Sequence, residues 1–176
     1  NHQSLLDIPV LYSSFPGSIS FVAKKNLFYI PIFGWSLWSA GFIPVDRNGG
    51  KKARESLNKA AKRIRAGRSL VVFPEGTRSP DGKIHEFKAG AFIMAIEAKV
   101  PIVPVVIKGT YQAGSKSTLC VTPHSIEVII GKPISTEHLT VKDRIELQRE
   151  VRDIMIEYSG HNSESDSEQD CGTILC

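Results

Sequence analysis

A chain of 176 residues with 41% hydrophobic and 23% charged content has room for one globular domain with a substantial core, and a second domain does not fit. Its net charge of +4 conceals an asymmetry, because residues 1–116 carry 17 Lys and Arg against 7 Asp and Glu while residues 117–176 carry 5 against 11. The basic part points to an anionic partner, and three cysteines without C-x-x-C spacing exclude a cysteine-held metal and fit a reduced protein, with Cys171 and Cys176 close enough in sequence to pair.

The chain opens on Asn1-His2-Gln3-Ser4-Leu5-Leu6-Asp7, an N-H-x-x-x-x-D pattern. A histidine takes up a proton near neutral pH, and a carboxylate beside it fixes its tautomer and stabilises the imidazolium. On one regular helix the two side chains would diverge by about 140°, so they cannot both sit mid-helix. Ser4 and Asp7 form an S-x-x-D capping pattern and Pro9 disfavours helix at Ile8, so a helix is expected from about Asp7, its carboxylate turned back toward His2. The alternative is a frayed His2 beside a plain cap. Because the sequence starts inside this motif, an upstream part is expected to precede it.

Lys24 and Lys25 are followed by the uncharged stretch from Asn26 to Val45, long enough to span a membrane but broken by Pro31, Gly34, Gly41 and Pro44. Trp35 and Trp38 favour an interfacial patch or the wall of an acyl groove; a plain core segment stays open. Residues 51–66 read as an amphipathic helix with a basic face, which either meets lipid headgroups or is solvated. Ser69-Leu70-Val71-Val72-Phe73 reads as a buried strand, Phe87 to Lys99 as a helix and Val100 to Ile107 as a strand, which together predict a βαβ unit with a parallel pair. Ile126 to Ile130 is a further strand, and Thr140 with Asp143 opens a last helix running to about Tyr158. The expectation is an α/β domain over residues 1–158, a mixed, largely parallel sheet flanked by helices, followed by a mobile acidic tail over 159–176.

Two turns end in arginine: Gly41-Phe42-Ile43-Pro44-Val45-Asp46-Arg47 and Phe73-Pro74-Glu75-Gly76-Thr77-Arg78-Ser79. Ligands of open α/β sheets bind beyond the carboxyl ends of the strands, and a guanidinium suits a phosphate. Either arginine alone is equally a surface residue, Glu75 either orients Arg78 or a ligand or pairs locally, and Lys24 and Lys25 either add charge to the site or solubilise the border of the apolar stretch. Gly109 to Ser117 misplaces the lysine of a phosphate loop, no G-x-S-x-G nucleophile elbow is present, and His85, His124, His138 and His161 form no ligand set. The basic residues lack the interleaved aromatics of a nucleic-acid reader.

Four ordered blocks, His2 to Asp7 with Asn1 before it, Gly41 to Arg47, Phe73 to Ser79, and Val100-Pro101-Ile102-Val103-Pro104, resemble the motifs of the glycerophospholipid acyltransferase family, most nearly its 1-acylglycerol-3-phosphate acyltransferases. Val22 to Leu27 resembles a family stretch whose lysine helps hold the acceptor phosphate, with Asn26 where an acidic residue is common. The resemblance covers about residues 1–107. It implies a glycerolipid acyltransferase-like fold in which His2 is general base, Asp7 orients it, and Arg47, Glu75, Gly76, Thr77 and Arg78, helped by Lys24 and Lys25, bind a phosphorylated lysolipid. It also implies acyl-CoA or acyl carrier protein as acyl donor, no cofactor or metal, and attachment to a membrane surface facing the cytoplasm through an anchor before Asn1. A different acceptor, or an inactive module binding anionic lipid, are the competing readings.

Overall fold

The computed structural model describes residues 1–15, 19–45, 55, 61–62, 64, 67, 69–114 and 121–160. Helix α1 (Asp7–Ser14) begins at Asp7, with Pro9 in its first turn, where a missing N–H leaves no hydrogen bond unmade. It leads to β1 (Ile19–Lys24), the central strand of a three-stranded sheet. Strands β2 (Ile43–Val45) and β3 (Ser69–Val71) both run parallel to it, with Lys24 opposite Val45 and Phe21 opposite Val71. Since all three strands point one way, the loops that follow them leave from one edge.

The sheet topology corrects the expected βαβ unit. Helix α3 (Gly90–Ala98) does follow β3, but β4 (Val105–Lys108) joins a second sheet, antiparallel to β5 (Glu127–Ile130). The parallel pairs are made by β1 instead. The strand expected from Val100 begins only at Val105, because Pro101 and Pro104 have no N–H to give a ladder; between them Ile102 makes one isolated bridge to Ile134. The expected strand over 69–73 ends at Val71 and is half-buried rather than fully buried.

Helices close both sheets. The 16-residue helix α5 (Arg144–Ser159) presents Leu147, Val151 and Met155 on one stripe, the i, i+4, i+8 spacing of a buried helix face, to Phe92 and Ile96 of α3 and Val106 of β4. It is entered as the sequence implied, with the Asp143 carboxylate accepting the Thr140 N–H at 2.7 Å. On the other side Leu11, Ile19, Phe21 and Ile107 form a core shared by both sheets. The basic helix expected over 51–66 lies mostly outside the described residues; of those described, Ala61 is buried against Ile43, Val45 and Met94. The tail from His161 also lies outside them.

The uncharged stretch after Lys25 forms a short 3-10 helix (Lys25–Tyr29), then α2 (Phe33–Ser39). Phe28, Leu37 and Phe42 are buried, so part of it is core, but Tyr29, Ile32 and Trp35 are 71%, 75% and 71% exposed. Ile32 sits at the apex of a γ-turn (φ 67°, ψ −56°), with the Phe33 N–H donating to Pro31 O at 2.7 Å. A β-branched residue there carries strain of about 1–3 kcal/mol. No described helix is long and apolar enough to cross a membrane.

The return from the 3-10 helix into α2 is tight, because a Cβ on Gly34 would lie 2.2 Å from the Phe28 carbonyl oxygen. We expect Gly34→Ala to destabilise the fold by about 1–3 kcal/mol. A Cβ on Gly90 meets nothing within 4 Å, so Gly90→Ala should leave the melting temperature unchanged or higher. Thermal unfolding of the two variants side by side checks this, and equal melting temperatures would contradict the close approach.

Candidate active site

The first seven residues fold around one carboxylate oxygen. Asp7 Oδ2 accepts the His2 Nδ1–H at 2.7 Å, the Gln3 N–H at 2.7 Å and the Ser4 N–H at 2.9 Å. The S-x-x-D pattern is thus half realised: the acid reaches back to the Ser4 amide, while the Ser4 hydroxyl turns away to donate to Gly114 O and accept from Leu6 N–H. Asp7 is fully buried. Burial alone would raise its pKa, but the hydrogen bonds from His2, Ser4 and Gln3, together with the influence of the Thr110 hydroxyl, outweigh it and lower the value, so the group is anionic at neutral pH. A carboxylate only accepts, so Nδ1 of His2 carries the proton and the neutral ring presents a basic Nε2. The His2 ring lies on Phe73, centroids 4.0 Å apart and planes 18° off parallel, with 16% of its side chain exposed.

That ring contact brings the opening block onto the loop after β3. The Ser79 N–H donates to His2 O at 2.8 Å, and the Gln3 side chain donates to Gly82 O. Arg78, next to the first of these ties, is half-buried and makes no hydrogen bond or ion pair with another described residue. Thr77 is exposed. Gly76 has a left-handed φ of 77°, and the Lys88 side chain lies across it, Nζ 3.0 Å from where a Cβ would sit. Lys88 N–H also donates to Pro74 O at 2.8 Å, so a cation that sequence reasoning passed over is fixed to the same loop.

Glu75 does not pair with Arg78. It is 5% exposed, neither carboxylate oxygen has a hydrogen-bond partner among the described residues, and burial pushes its pKa up to about 7. Lys24 closes β1 at the carboxyl edge and Lys25 follows it, both exposed. Arg47 lies outside the described residues; β2 ends two positions before it, with Val45 opposite Lys24. The structure therefore brings His2, Asp7, Glu75, Gly76 and Arg78 together and sets Lys24 and Lys25 on the edge from which their loop departs.

Sequence reasoning missed Asn1. Its Nδ2 donates to Ile107 O at 2.9 Å and its Oδ1 accepts the Ile107 N–H at 2.8 Å, so the side-chain amide stands in for a strand partner on the edge of β4. The signal was the residue type, since a carboxamide alone offers one donor and one acceptor side by side; its partner, 106 positions away, is invisible in sequence. Beside it, between β3 and β4, lies an apolar cavity of about 480 Å³ bounded by Val71, Phe92, Val105, Ile107 and Met155 and reaching Phe73 and Pro74.

The model of the acyltransferase family matches residues 1–108. The chain is 42% identical over 161 residues to the 1-acyl-sn-glycerol-3-phosphate acyltransferase of Saccharomyces cerevisiae, covering 89% of this chain and 53% of that protein. It is 35% identical over 157 residues to the human 1-acyl-sn-glycerol-3-phosphate acyltransferase alpha, covering 89% and 56%. The crystal structure of PlsC, the 1-acyl-sn-glycerophosphate acyltransferase from Thermotoga maritima, superposes with a TM-score of 0.75 at 30% identity, over 96% of this chain and 66% of that one. The chain thus spans about half the length of the curated relatives it matches.

The buried Glu75 has a consequence for stability. Its folded pKa of about 7 lies above the ordinary 4.5, so between these values the folded state holds a proton the unfolded state has lost. Stability therefore falls as pH rises through that window, by at most about 3–4 kcal/mol. Glu75→Gln, which carries no charge, should unfold at a higher temperature than the parent at pH 8, with the gap closing toward pH 4.5. A gap that does not change with pH would show that Glu75 is ionised throughout.

Proposed function

The chain belongs to the acyltransferase family, and from that premise we propose that it transfers a fatty acyl group from acyl-CoA or acyl carrier protein to the sn-2 hydroxyl of 1-acylglycerol 3-phosphate, giving phosphatidic acid. The observation that carries this reading is His2, held by Asp7 through Nδ1 at 2.7 Å with Nε2 left to act, and tied to the loop that carries Arg78. His2 Nε2 takes the proton of the acceptor hydroxyl as its oxygen attacks the thioester carbonyl. The tetrahedral intermediate collapses by breaking the C–S bond, and the imidazolium returns its proton to the departing thiolate. Asp7 stays ionised throughout and stabilises the charged ring. No acyl-enzyme forms.

Arg78 binds the acceptor phosphate with paired, charge-assisted hydrogen bonds, aided by Arg47, Lys24 and Lys25, while Glu75, Gly76 and Thr77 shape the loop that presents it. The apolar cavity beside Phe73 supports this reading, since it offers an acyl chain a dry place next to His2. The exposed Tyr29, Ile32 and Trp35 suit a membrane surface, where amphipathic and apolar side chains meet the headgroup region and from which a lysolipid would arrive.

Acyl transfer to lysophosphatidic acid, followed by thiol release in the purified protein, tests the proposal; acceptor-independent thioester hydrolysis alone would refute it. His2→Ala should slow turnover at least about 10²-fold, the lower range for a positioned base. Arg78→Ala should raise KM for the phosphorylated acceptor more than KM for the acyl donor. An equal rise for both would give Arg78 a structural role.

A further inference from the structure

The segment after β4 is fastened to the opening loop at two points. At one end the Asn1 side chain holds both polar backbone groups of Ile107; at the other the Ser4 hydroxyl donates to Gly114 O. Between these ties runs the short helix α4 (Thr110–Ala113). Its first residue, Thr110, is 0% exposed, as is Asp7. Among the described residues Thr110 Oγ1 has no hydrogen-bond partner, and neither has Asp7 Oδ1, the oxygen that His2, Gln3 and Ser4 leave free. One atom can donate and the other only accept.

The two residues also sense each other. Burial raises the Asp7 pKa, and the Thr110 hydroxyl is among the groups, after His2 and Ser4, that bring it down. The turn that delivers Thr110 admits only glycine before it: Gly109 has φ 87°, and a Cβ there would sit 2.1 Å from Ser125 O.

We propose that Thr110 is a positioning residue for the acyl transfer, its hydroxyl donating to Asp7 Oδ1 so that the carboxylate is held through both oxygens beneath His2. This rests on the reading of His2 as general base. The physical reason is the looseness of a carboxylate about its terminal torsion, whose preference is broad and two-fold. Three donors converge on Oδ2, and rotation about that bond would carry Oδ2 away from them. A donor on Oδ1 fixes the plane of the group, and with it the ring that Oδ2 orients. It also supplies the buried charge with a fourth hydrogen bond, where an unpaired buried acceptor is unfavourable.

Thr110→Val keeps the shape and removes the donor; Thr110→Ser keeps the donor and removes the methyl. In the valine variant kcat should fall roughly tenfold or more with the acceptor KM little changed. The Asp7 carboxyl signal should titrate at higher pH than in the parent. That signal is followed by carbon-13 NMR of aspartate-labelled protein and assigned by its absence from Asp7→Asn. His2, Glu75 and the Asn1 amino group, the titratable neighbours of Asp7 among the described residues, are the same in parent, valine and serine variants. The serine variant should restore both readouts. An unmoved Asp7 titration in the valine variant overturns the proposal. So does failure of serine to restore it, which would make packing of the methyl the reason. Should the valine variant not fold, Thr110→Ala carries the same comparison. If the parent protein transfers no acyl group, the function proposed above falls, while the carboxyl titration still decides for or against Thr110.

Discussion

A buried negative charge organises this molecule. An isolated carboxylate removed from water is unfavourable by several kcal/mol and would neutralise itself by taking a proton. At Asp7 that outcome is prevented by three donors on one oxygen, two of them the amides of Gln3 and Ser4, residues that can supply them only if the chain loops back over the helix it is about to enter. The loop that results is the one that carries His2. The shape of the opening block and the orientation of its imidazole are therefore one event, and neither forms without the other.

Because that loop has few apolar contacts of its own, its stiffness comes from elsewhere in the chain. The segment around Ser79 ties it through the His2 carbonyl, β4 ties it through Asn1, and the Gly114 turn ties it through Ser4. Three distant stretches, near residues 1–7, 73–82 and 105–114, meet in one place. The parallel sheet makes this meeting possible, since β1, β2 and β3 release their following loops on the same edge.

The sequence made legible what depends on local chemistry. The start of α1 at Asp7, the turn of its side chain toward His2, the stripe of α5 and its entry at Thr140 all follow from residue types within one or two helical turns. What stayed hidden depends on long-range choice. A short apolar run carries no mark of its partner, so the alternation of strand, helix and strand suggested a parallel pair where β4 instead runs antiparallel to β5. For Glu75 the sequence leaves open whether it orients Arg78 or a ligand or pairs locally; that it is enclosed with no hydrogen-bond partner among the described residues is decided by what surrounds it in space. The uncharged stretch is part core and part exposed surface, one residue at a time, because its turns point Phe28 and Leu37 inward and Ile32 and Trp35 outward. Arg47 falls outside the described residues; the strand register sets Val45, two positions before it, opposite Lys24.

Pro101 and Pro104 throw a different light on the fourth block. Neither has an amide hydrogen, so the run ahead of β4 cannot zip onto a neighbouring strand, and a continuous sheet cannot grow across it. The two prolines line the 480 Å³ hollow, and just beyond them the Asn1 carboxamide docks on Ile107 of β4. The prolines thus act as spacers in the architecture: by forbidding ladder rungs ahead of β4, they keep an apolar seam open between β3 and the run that leads into β4.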